Sequence, residues 1–378
     1  MTMSVNTLVI DPACIQSHVQ QIAPSVIRQL ISWSCSPLGV IKEESSVYRV
    51  SCTVQFDDNS RRDYSLILKI AKPDSMRDEA DHYYYWKREA LVYQLGILSQ
   101  LPEGIRAPQC YGVEEQADGD IRVWLEDLPI DTLHKDWTLA HMCEIYYALG
   151  KFNGAYLAGA TLPADWFLCR AWMRSWVEVC TAYAKPIGEQ KAIWDSHSSE
   201  RCGSNGLWAQ YLSNRRRASS LLETLERLPR VFAHQDVHWD NIFLAKGNGD
   251  SSLVAIDWQF ASISGVGEDL GRMFGYALLK NMIPVDQASE YKEELFSSYV
   301  QGLRASGWEG DSKLARFGFA TAASLRYIMV MDKLLRGLEE GSIKNEESNL
   351  SHLEAVTQEL LHMAEEAWSL RNEITGCI

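Results

Sequence analysis

Long apolar runs and clustered cysteines are both missing from this chain of 378 residues. No stretch reaches the roughly 18 apolar residues that a membrane helix needs, and the N-terminal residues do not show the basic segment and apolar core of a signal peptide. The nine cysteines include no C-x-x-C pair, which is the spacing typical of zinc and redox sites. We therefore expect a reduced, cytoplasmic protein that has no membrane partner.

Positive charge is also scarce, because 36 Lys and Arg residues face 50 Asp and Glu residues and give a net charge of −14. Nucleic-acid backbones are bound chiefly by Lys and Arg, so we expect no nucleic-acid partner. In contrast, the 46% hydrophobic and 10% aromatic residues are sufficient for a folded core. A chain of this length predicts two lobes or two domains.

The apolar pattern changes along the chain. Val47 to Phe56 and Tyr64 to Ile70 are rich in β-branched and aromatic residues around a polar turn, which predicts a β-hairpin. Glu79 to Leu98 has helical spacing and predicts one helix. Two further strands are predicted before residue 128, and helical periods dominate from residue 129 onward. The predicted organisation is an N-terminal lobe over 1–128 and a C-terminal lobe over 129–378.

The densest polar cluster is the run HQDVHWDN between two apolar strands, followed by an aspartate at the end of LVAID. It contains Asp236 and Asn241, and the later aspartate is Asp257. These side chains supply one possible proton acceptor and hard oxygen ligands. Mg²⁺ prefers such ligands and typically combines one or two protein carboxylates with substrate phosphates.

This arrangement resembles the catalytic and metal-binding loops of the aminoglycoside phosphotransferase and choline kinase branch of the kinase-like superfamily. The loops of that branch read close to HGDLHPGN and to IDW or IDF, and here they read HQDVHWDN and AIDW. Gln235 replaces the usual glycine and Trp239 the usual proline. The segment from Gly267 to Gly271 is similar to the one that follows the metal aspartate in the family.

The resemblance implies an α+β, bilobal protein-kinase-like fold, with an antiparallel sheet in the N-terminal lobe and a mainly helical C-terminal lobe. It also implies roles for the loop residues. Asp236 would accept or orient the proton of the substrate hydroxyl, and Asn241 and Asp257 would hold Mg²⁺ on the nucleotide phosphates. His234 would brace the loop, and Asp269 would tie it down without touching substrate.

The N-terminal lobe resembles the family in its ion pair and its hinge. Lys69 lies on the second strand of the predicted hairpin, and Glu89 lies in a segment similar to the family's REAxVY. The family pairs these two residues to present the ammonium group to the nucleotide phosphates. The segment containing Glu126 and Leu128 matches the hinge, whose backbone would face the base.

The phosphate loop and the substrate contacts match less of the family pattern. Only Gly39 lies near the loop, so Ser45 and Ser46 are expected at its tip, where hydroxyls and amides would contact phosphate. His238 and Trp239 adjoin the expected base, so they are candidate substrate contacts.

Together these features predict Mg²⁺-dependent transfer of the γ-phosphate of ATP or GTP to a hydroxyl of a small molecule. The family's acceptors include aminoglycosides, amino-alcohols and sugars, and the negative net charge favours a cationic one. A monomer or a homodimer is expected. The alternative is an inactive nucleotide-binding regulatory protein of the same fold.

Two further interpretations remain open from the residues alone. His234, Asp236, His238 and Asp240 have the spacing of an H-x-D-x-H metal site of a hydrolase. The indoles of a tryptophan series that includes Trp172 and Trp176 would suit a cationic or apolar ligand, although core packing explains them equally well.

Overall fold

A strand-rich region and a helical region follow one another in the computed structural model. The structure describes residues 8–39, 45–128, 137–184, 204–246, 251–330 and 347–376, with isolated positions 192, 332 and 336. The fold is α+β, which confirms the predicted class. The predicted boundary after residue 128 stays a prediction, since the residues that follow it, 129–136, lie outside the described part.

The N-terminal region is built on a five-stranded antiparallel sheet with the strand order β1-β2-β3-β6-β5. A helix, α1 (Pro12–Gln20), precedes it, and its N-terminus is capped by the side chain of Asp11. The predicted hairpin is confirmed, whereas α1 and the first strand were not predicted. The strands are β1 (Ile27–Pro37), β2 (Ser45–Phe56), β3 (Arg61–Ala71), β5 (Cys110–Glu115) and β6 (Ile121–Glu126).

The two faces of the sheet have different neighbours. Leu66, Leu68 and Ile70 of β3 are buried in one core cluster, together with apolar residues of α1. Successive strand residues point to opposite faces, so Ile67 and Lys69 lie on the other face. That face is turned toward the rest of the protein, and both residues line the cleft described below.

The predicted helix over 79–98 is wrong in its first half, because the helix α2 comprises only Arg88–Gln94. Buried Arg88 explains the difference. Its guanidinium donates to the carbonyl groups of Ala80, His82 and Tyr83, at 2.7 to 2.8 Å, and to that of Phe167 at 3.0 Å. These carbonyls face one cation, so the preceding segment forms turns in place of a helix.

The C-terminal region is mainly helical and carries two small sheets. Strand β4 (Ile105–Arg106) pairs with β9, which pairs with β8, and β7 pairs with β10. The strands are β7 (Arg230–Ala233), β8 (Ile242–Lys246), β9 (Ser251–Ala255) and β10 (Ser262–Gly265). The helices are α3 (Leu139–Leu157), α4 (Trp172–Ala184), α5 (Ser204–Leu225), α6 (Glu268–Leu279), α7 (Ala288–Ala305), α8 (Ser312–Arg326) and α9 (Glu347–Ile374). Among the helices described, none is both long enough and apolar enough to span a bilayer.

Helices α3 and α7 approach each other closely through two glycines. A Cβ atom on Gly150 would lie 2.1 Å from the carbonyl oxygen of Tyr299, and one on Gly302 would lie 2.1 Å from that of Tyr147. Backbone atoms cannot move aside as a flexible side chain does. These two positions therefore set the distance between the helices.

We predict that Gly150→Ala destabilises the protein by about 1–3 kcal/mol, the usual cost of overpacking a core. Alanine favours a helix by about 1 kcal/mol, but this gain is smaller than the cost of separating two backbones. Urea unfolding of the variant would measure the difference. Glu144→Ala, at an exposed position of the same helix, is the control, and equal stability of the two variants would contradict the prediction.

Candidate active site

A cavity of about 460 Å³ lies between the sheet and the helical region. This volume falls in the range of small-molecule sites. The lining includes every residue that the sequence predicted for nucleotide or metal binding: Ser45, Ser46, Lys69, Glu89, Glu126, Leu128, Asn241 and Asp257.

Lys69, in the lining of the cavity, is at the centre of an ion triad. Its Nζ atom lies 2.6 and 2.7 Å from the two carboxylate oxygens of Glu89 and 3.0 Å from Oδ1 of Asp257. Burial favours the neutral amine, but the charges of Asp257 and Glu89 more than offset this and raise the pKa of Lys69. Lys69 is therefore cationic at neutral pH.

His234 supports the loop that joins β7 to β8. Its Nδ1 accepts the backbone N–H of Asp236 at 3.1 Å, and its Nε2 donates to the carbonyl of Ile256 at 2.9 Å. Burial lowers the pKa of His234 to about 4, so the ring is neutral. Both ring nitrogens are therefore engaged within the protein. Among the described residues, the side chains of the H-x-D-x-H pattern do not converge as a metal-ligand group, so the hydrolase interpretation is wrong.

Asp269, near the start of α6, holds the same loop from the other side. Its two carboxylate oxygens accept the backbone N–H groups of Gln235 at 2.6 Å and of His234 at 3.2 Å. Burial raises its pKa to about 6, although the two amide donors act in the opposite direction. The structure thus places Asp269 on the loop backbone and not in the cleft.

Gln235 adopts a backbone conformation that favours glycine, with φ of 61°. Its side chain offsets that strain by donating to Ser264 Oγ at 2.7 Å and to the Glu268 carboxylate at 2.9 Å. Glu268 also accepts the Gly265 N–H at 2.5 Å. Gln235 thus adopts the left-handed conformation that glycine takes most readily, with its side chain anchored at two buried groups.

Asp236 is almost enclosed by donors and cations. Asn241 Nδ2 lies 3.1 Å from Oδ2, and Arg272 Nε lies 2.8 Å from Oδ1. Burial raises the pKa of Asp236, but a hydrogen bond from His238 and the charges of Arg272 and Arg326 outweigh it, so the pKa is far below its ordinary value. Asp236 is a carboxylate at neutral pH.

The donor set at the cleft fits Mg²⁺. Because Asn241 directs its amide NH₂ to Asp236, its carbonyl oxygen is left for another partner. The Asp257 side chain is 45% exposed and uses only Oδ1 with Lys69. An amide oxygen and a carboxylate at the same cavity are the hard ligands that Mg²⁺ prefers.

Comparison with known proteins identifies the family. The model of the phosphotransferase enzyme family matches residues 45–309, more than half of the chain. The chain belongs to the phosphotransferase enzyme family. No curated protein sequence matches it.

Solved structures similar to this family member include small-molecule kinases. A microcompartment-associated aminopropanol kinase is 13% identical, with 95% of this chain and 98% of that chain covered and a TM-score of 0.50. An amicoumacin kinase, solved in complex with AMP-PNP, Ca²⁺ and Ami, is 15% identical, with 86% of this chain and 88% of that chain covered and a TM-score of 0.49. An ethanolamine kinase of Plasmodium vivax is 12% identical over 87% and 81%, with a TM-score of 0.48. The match to the aminopropanol kinase, whose TM-score reaches 0.50, supports the kinase-like fold and, at this identity, the fold alone.

Two details of the family pattern differ from the sequence prediction. Ser45 and Ser46 are the first residues of β2, paired with Ala71 and Ile70 of β3, so they are not the tip of a turn. Residues 40–44, which precede them, lie outside the described part. In the hinge, the Glu126 N–H already donates to the Gln109 carbonyl at 2.8 Å, so this amide is not free to contact a base.

The residues beside the expected base, Asp236, form an aromatic group and a basic group. His238 stacks on Tyr276 with ring centroids 4.7 Å apart, and Trp239 meets the same ring edge-on at 5.4 Å. Arg272 and Arg326, which both contact the carboxylate of Asp236, were not predicted from the sequence. Arg272 follows Asp269 by one helical turn, so its position near the loop could have been inferred from the sequence. Nothing in the sequence around Arg326 indicates a contact with Asp236.

Glu268 gives a testable pH dependence. Burial raises its pKa from 4.5 to about 7, so the folded state binds this proton more tightly than the unfolded chain. Its contribution to stability is therefore complete below about pH 4.5 and is lost as the pH rises through 7, on the order of 3 kcal/mol. Glu268→Gln cannot lose a proton there.

We predict that raising the pH from 5 to 8 lowers the unfolding free energy of the wild type more than that of Glu268→Gln. Urea unfolding at both pH values measures the difference. Glu144→Gln, at an exposed position, should follow the wild type. Parallel pH profiles of the wild type and Glu268→Gln would contradict the assigned pKa.

Proposed function

We propose that this protein transfers the γ-phosphate of ATP or GTP to a hydroxyl of a small molecule, in a Mg²⁺-dependent reaction. One observation carries the proposal. The ionised Asp236 accepts a hydrogen bond from Asn241, and Asn241 lines the same cavity as Asp257 and the cationic Lys69. A proton acceptor, oxygen ligands and a phosphate-binding cation are thus adjacent. Phosphoryl transfer requires this combination.

The cavity lining offers apolar side chains for the base of a nucleotide and charged side chains for its phosphates and metal ion. Ile67, Leu125, Leu128 and Ile256 supply apolar lining for the base. Lys69 would contact the phosphates, held in position by Glu89. Asn241 and Asp257 would hold Mg²⁺, which when bound offsets phosphate charge.

Asp236 would receive the acceptor hydroxyl at its remaining lone-pair positions. The hydroxyl oxygen forms a bond to the γ-phosphorus while the bond from that phosphorus to the bridging oxygen breaks, releasing ADP or GDP. The hydroxyl proton passes to Asp236. The low pKa of Asp236 keeps it ionised and makes it a weak base, which suits a loose transition state in which orientation matters more than early deprotonation.

Asp236→Asn should lower turnover by about 10²–10⁴ fold, the usual contribution of a positioned proton acceptor. Nucleotide affinity should hardly change, because Asp236 is not among the residues that line the nucleotide cavity. Steady-state kinetics and calorimetric nucleotide binding test the two statements. Asp240→Asn is the matched control, since that side chain lies on the same loop and is 62% exposed.

Full turnover of Asp236→Asn with an acceptor of the wild type would refute the assigned role. Wild-type protein that binds nucleotide but transfers phosphate to no amino-alcohol, sugar, antibiotic or hydroxy acid would instead favour the regulatory alternative.

Asp257→Ala should abolish the Mg²⁺-dependent part of nucleotide binding while the Mg²⁺-independent part remains. The variant removes a proposed ligand but leaves the Lys69–Glu89 pair in place. Calorimetry with Mg²⁺ and with EDTA measures both parts. An unchanged effect of Mg²⁺ in this variant would exclude Asp257 as a ligand.

A further inference from the structure

Two arginines converge on the carboxylate of Asp236. Arg272 Nε lies 2.8 Å from Oδ1, and Arg326 Nη2 lies 3.5 Å from the same oxygen. Asp269 also faces this region, but its oxygens accept two loop amides. Two guanidinium groups therefore contact one carboxylate, which leaves an excess of positive charge among these three side chains.

Arg326 occupies the aromatic surface that would otherwise suit a cationic substrate. Its guanidinium carbon lies 4.5 Å from the Trp172 ring centroid and 4.8 Å from that of Trp176. The side chain is 1% exposed. Since the indole faces already bind the chain's own cation, a quaternary ammonium ligand cannot use them without displacing Arg326.

The two arginines retain unused hydrogen-bond donors. Nε and Nη1 of Arg326 are buried without a partner. Arg272 uses Nε with Asp236 and Nη1 with the Tyr327 hydroxyl, and its side chain is 18% exposed. Burial, and after it the nearby charge of Arg272, lowers the pKa of Arg326 to about 10. Both groups thus stay cationic at neutral pH and repel each other, and an anion beside Arg272 would relieve this repulsion.

We propose that the phosphate acceptor is an anionic alcohol, a hydroxy acid whose carboxylate binds Arg272 while its hydroxyl lies at Asp236. Arg272 is the binding residue because it is the more accessible of the two. Arg326 is a positioning residue that acts through Asp236 and Arg272. This inference rests on the proposed function.

The acidic net charge of the chain does not oppose this assignment. Exposed charges are screened over about 8 Å at physiological ionic strength, whereas the arginines adjoin the reacting carboxylate. Local charge therefore favours an anionic acceptor over the cationic one that the net charge of the chain favours.

Matched acceptors test the inference directly. Glycerate, glycerol and aminopropanediol share one skeleton and differ in one anionic, neutral or cationic group. Para-hydroxymethylbenzoate, benzenedimethanol and hydroxymethylbenzylamine form a larger, aromatic set. Release of ADP or GDP above the hydrolysis background, measured with the full chain and Mg²⁺, gives kcat/KM for each acceptor. We expect the carboxylate of at least one set to exceed its neutral and cationic partners by roughly 10- to 100-fold, the usual value of a charged hydrogen bond.

Arg272→Met should remove this preference, chiefly through a higher KM for the carboxylate, and Arg272→Lys should retain part of it. The conservative variant separates lost charge from a displaced Asp236. Arg174→Met is the control, because Arg174 forms an ion pair with Glu226 and is not among the charged groups that act on Asp236. A loss of turnover in Arg272→Met that is equal for all three charge types would overturn the inference.

Equilibrium binding separates this inference from the proposed function. Calorimetry measures each acceptor against protein loaded with AMP-PNP and Mg²⁺. Carboxylate-selective binding that is lost in Arg272→Met supports the anion site even if no acceptor is phosphorylated. Phosphorylation that prefers the amine or the neutral alcohol supports the proposed function and overturns the anion site. No carboxylate selectivity in either measurement also overturns it.

Discussion

The ion triad of Lys69, Glu89 and Asp257 is the interaction on which the rest of the site depends. It joins strand β3, helix α2 and the turn after β9, which are far apart in the sequence. Glu89 also accepts the Trp258 N–H at 3.2 Å, so the same carboxylate orients the backbone beside Asp257. Buried charges are stable only with their partners, and this requirement brings the sheet and the helical region together at one defined point.

The features that could be predicted from the sequence are those with a local cause. Alternation along β3 places Lys69 on the face opposite Leu68, and strand propensity predicts the hairpin. The helix over 79–98 was wrong because Arg88 binds carbonyl groups of the preceding segment, which a count of apolar spacings does not detect. Ser45 and Ser46 were misplaced because pairing with β3 extends β2 beyond its apolar part.

The acceptor side of the site could be predicted much less well, for a physical reason. Asp236 and Asn241 lie on one polar loop, and Asp257 follows the second of the two strands after it, so the sequence itself indicates that they are close. Arg326 reaches Asp236 from the end of α8, and only the packing of helices brings them together. The net charge of the chain favours a cationic acceptor, whereas the two arginines favour the anionic acceptor proposed above. The two differ because net charge is summed over the whole chain, while chemistry at Asp236 depends on its immediate neighbours.

Gln235 shows that a loop can keep its shape after losing the residue that best fits its dihedral angles. Glycine would adopt the left-handed conformation without strain, but it would also remove both side-chain bonds to Ser264 and Glu268. The side-chain amide of Gln235 and the buried carboxylate of Glu268 are hydrogen-bond partners at this position. A search pattern that insists on glycine between the histidine and the aspartate would consequently overlook proteins that reach the same backbone path by anchoring a longer side chain.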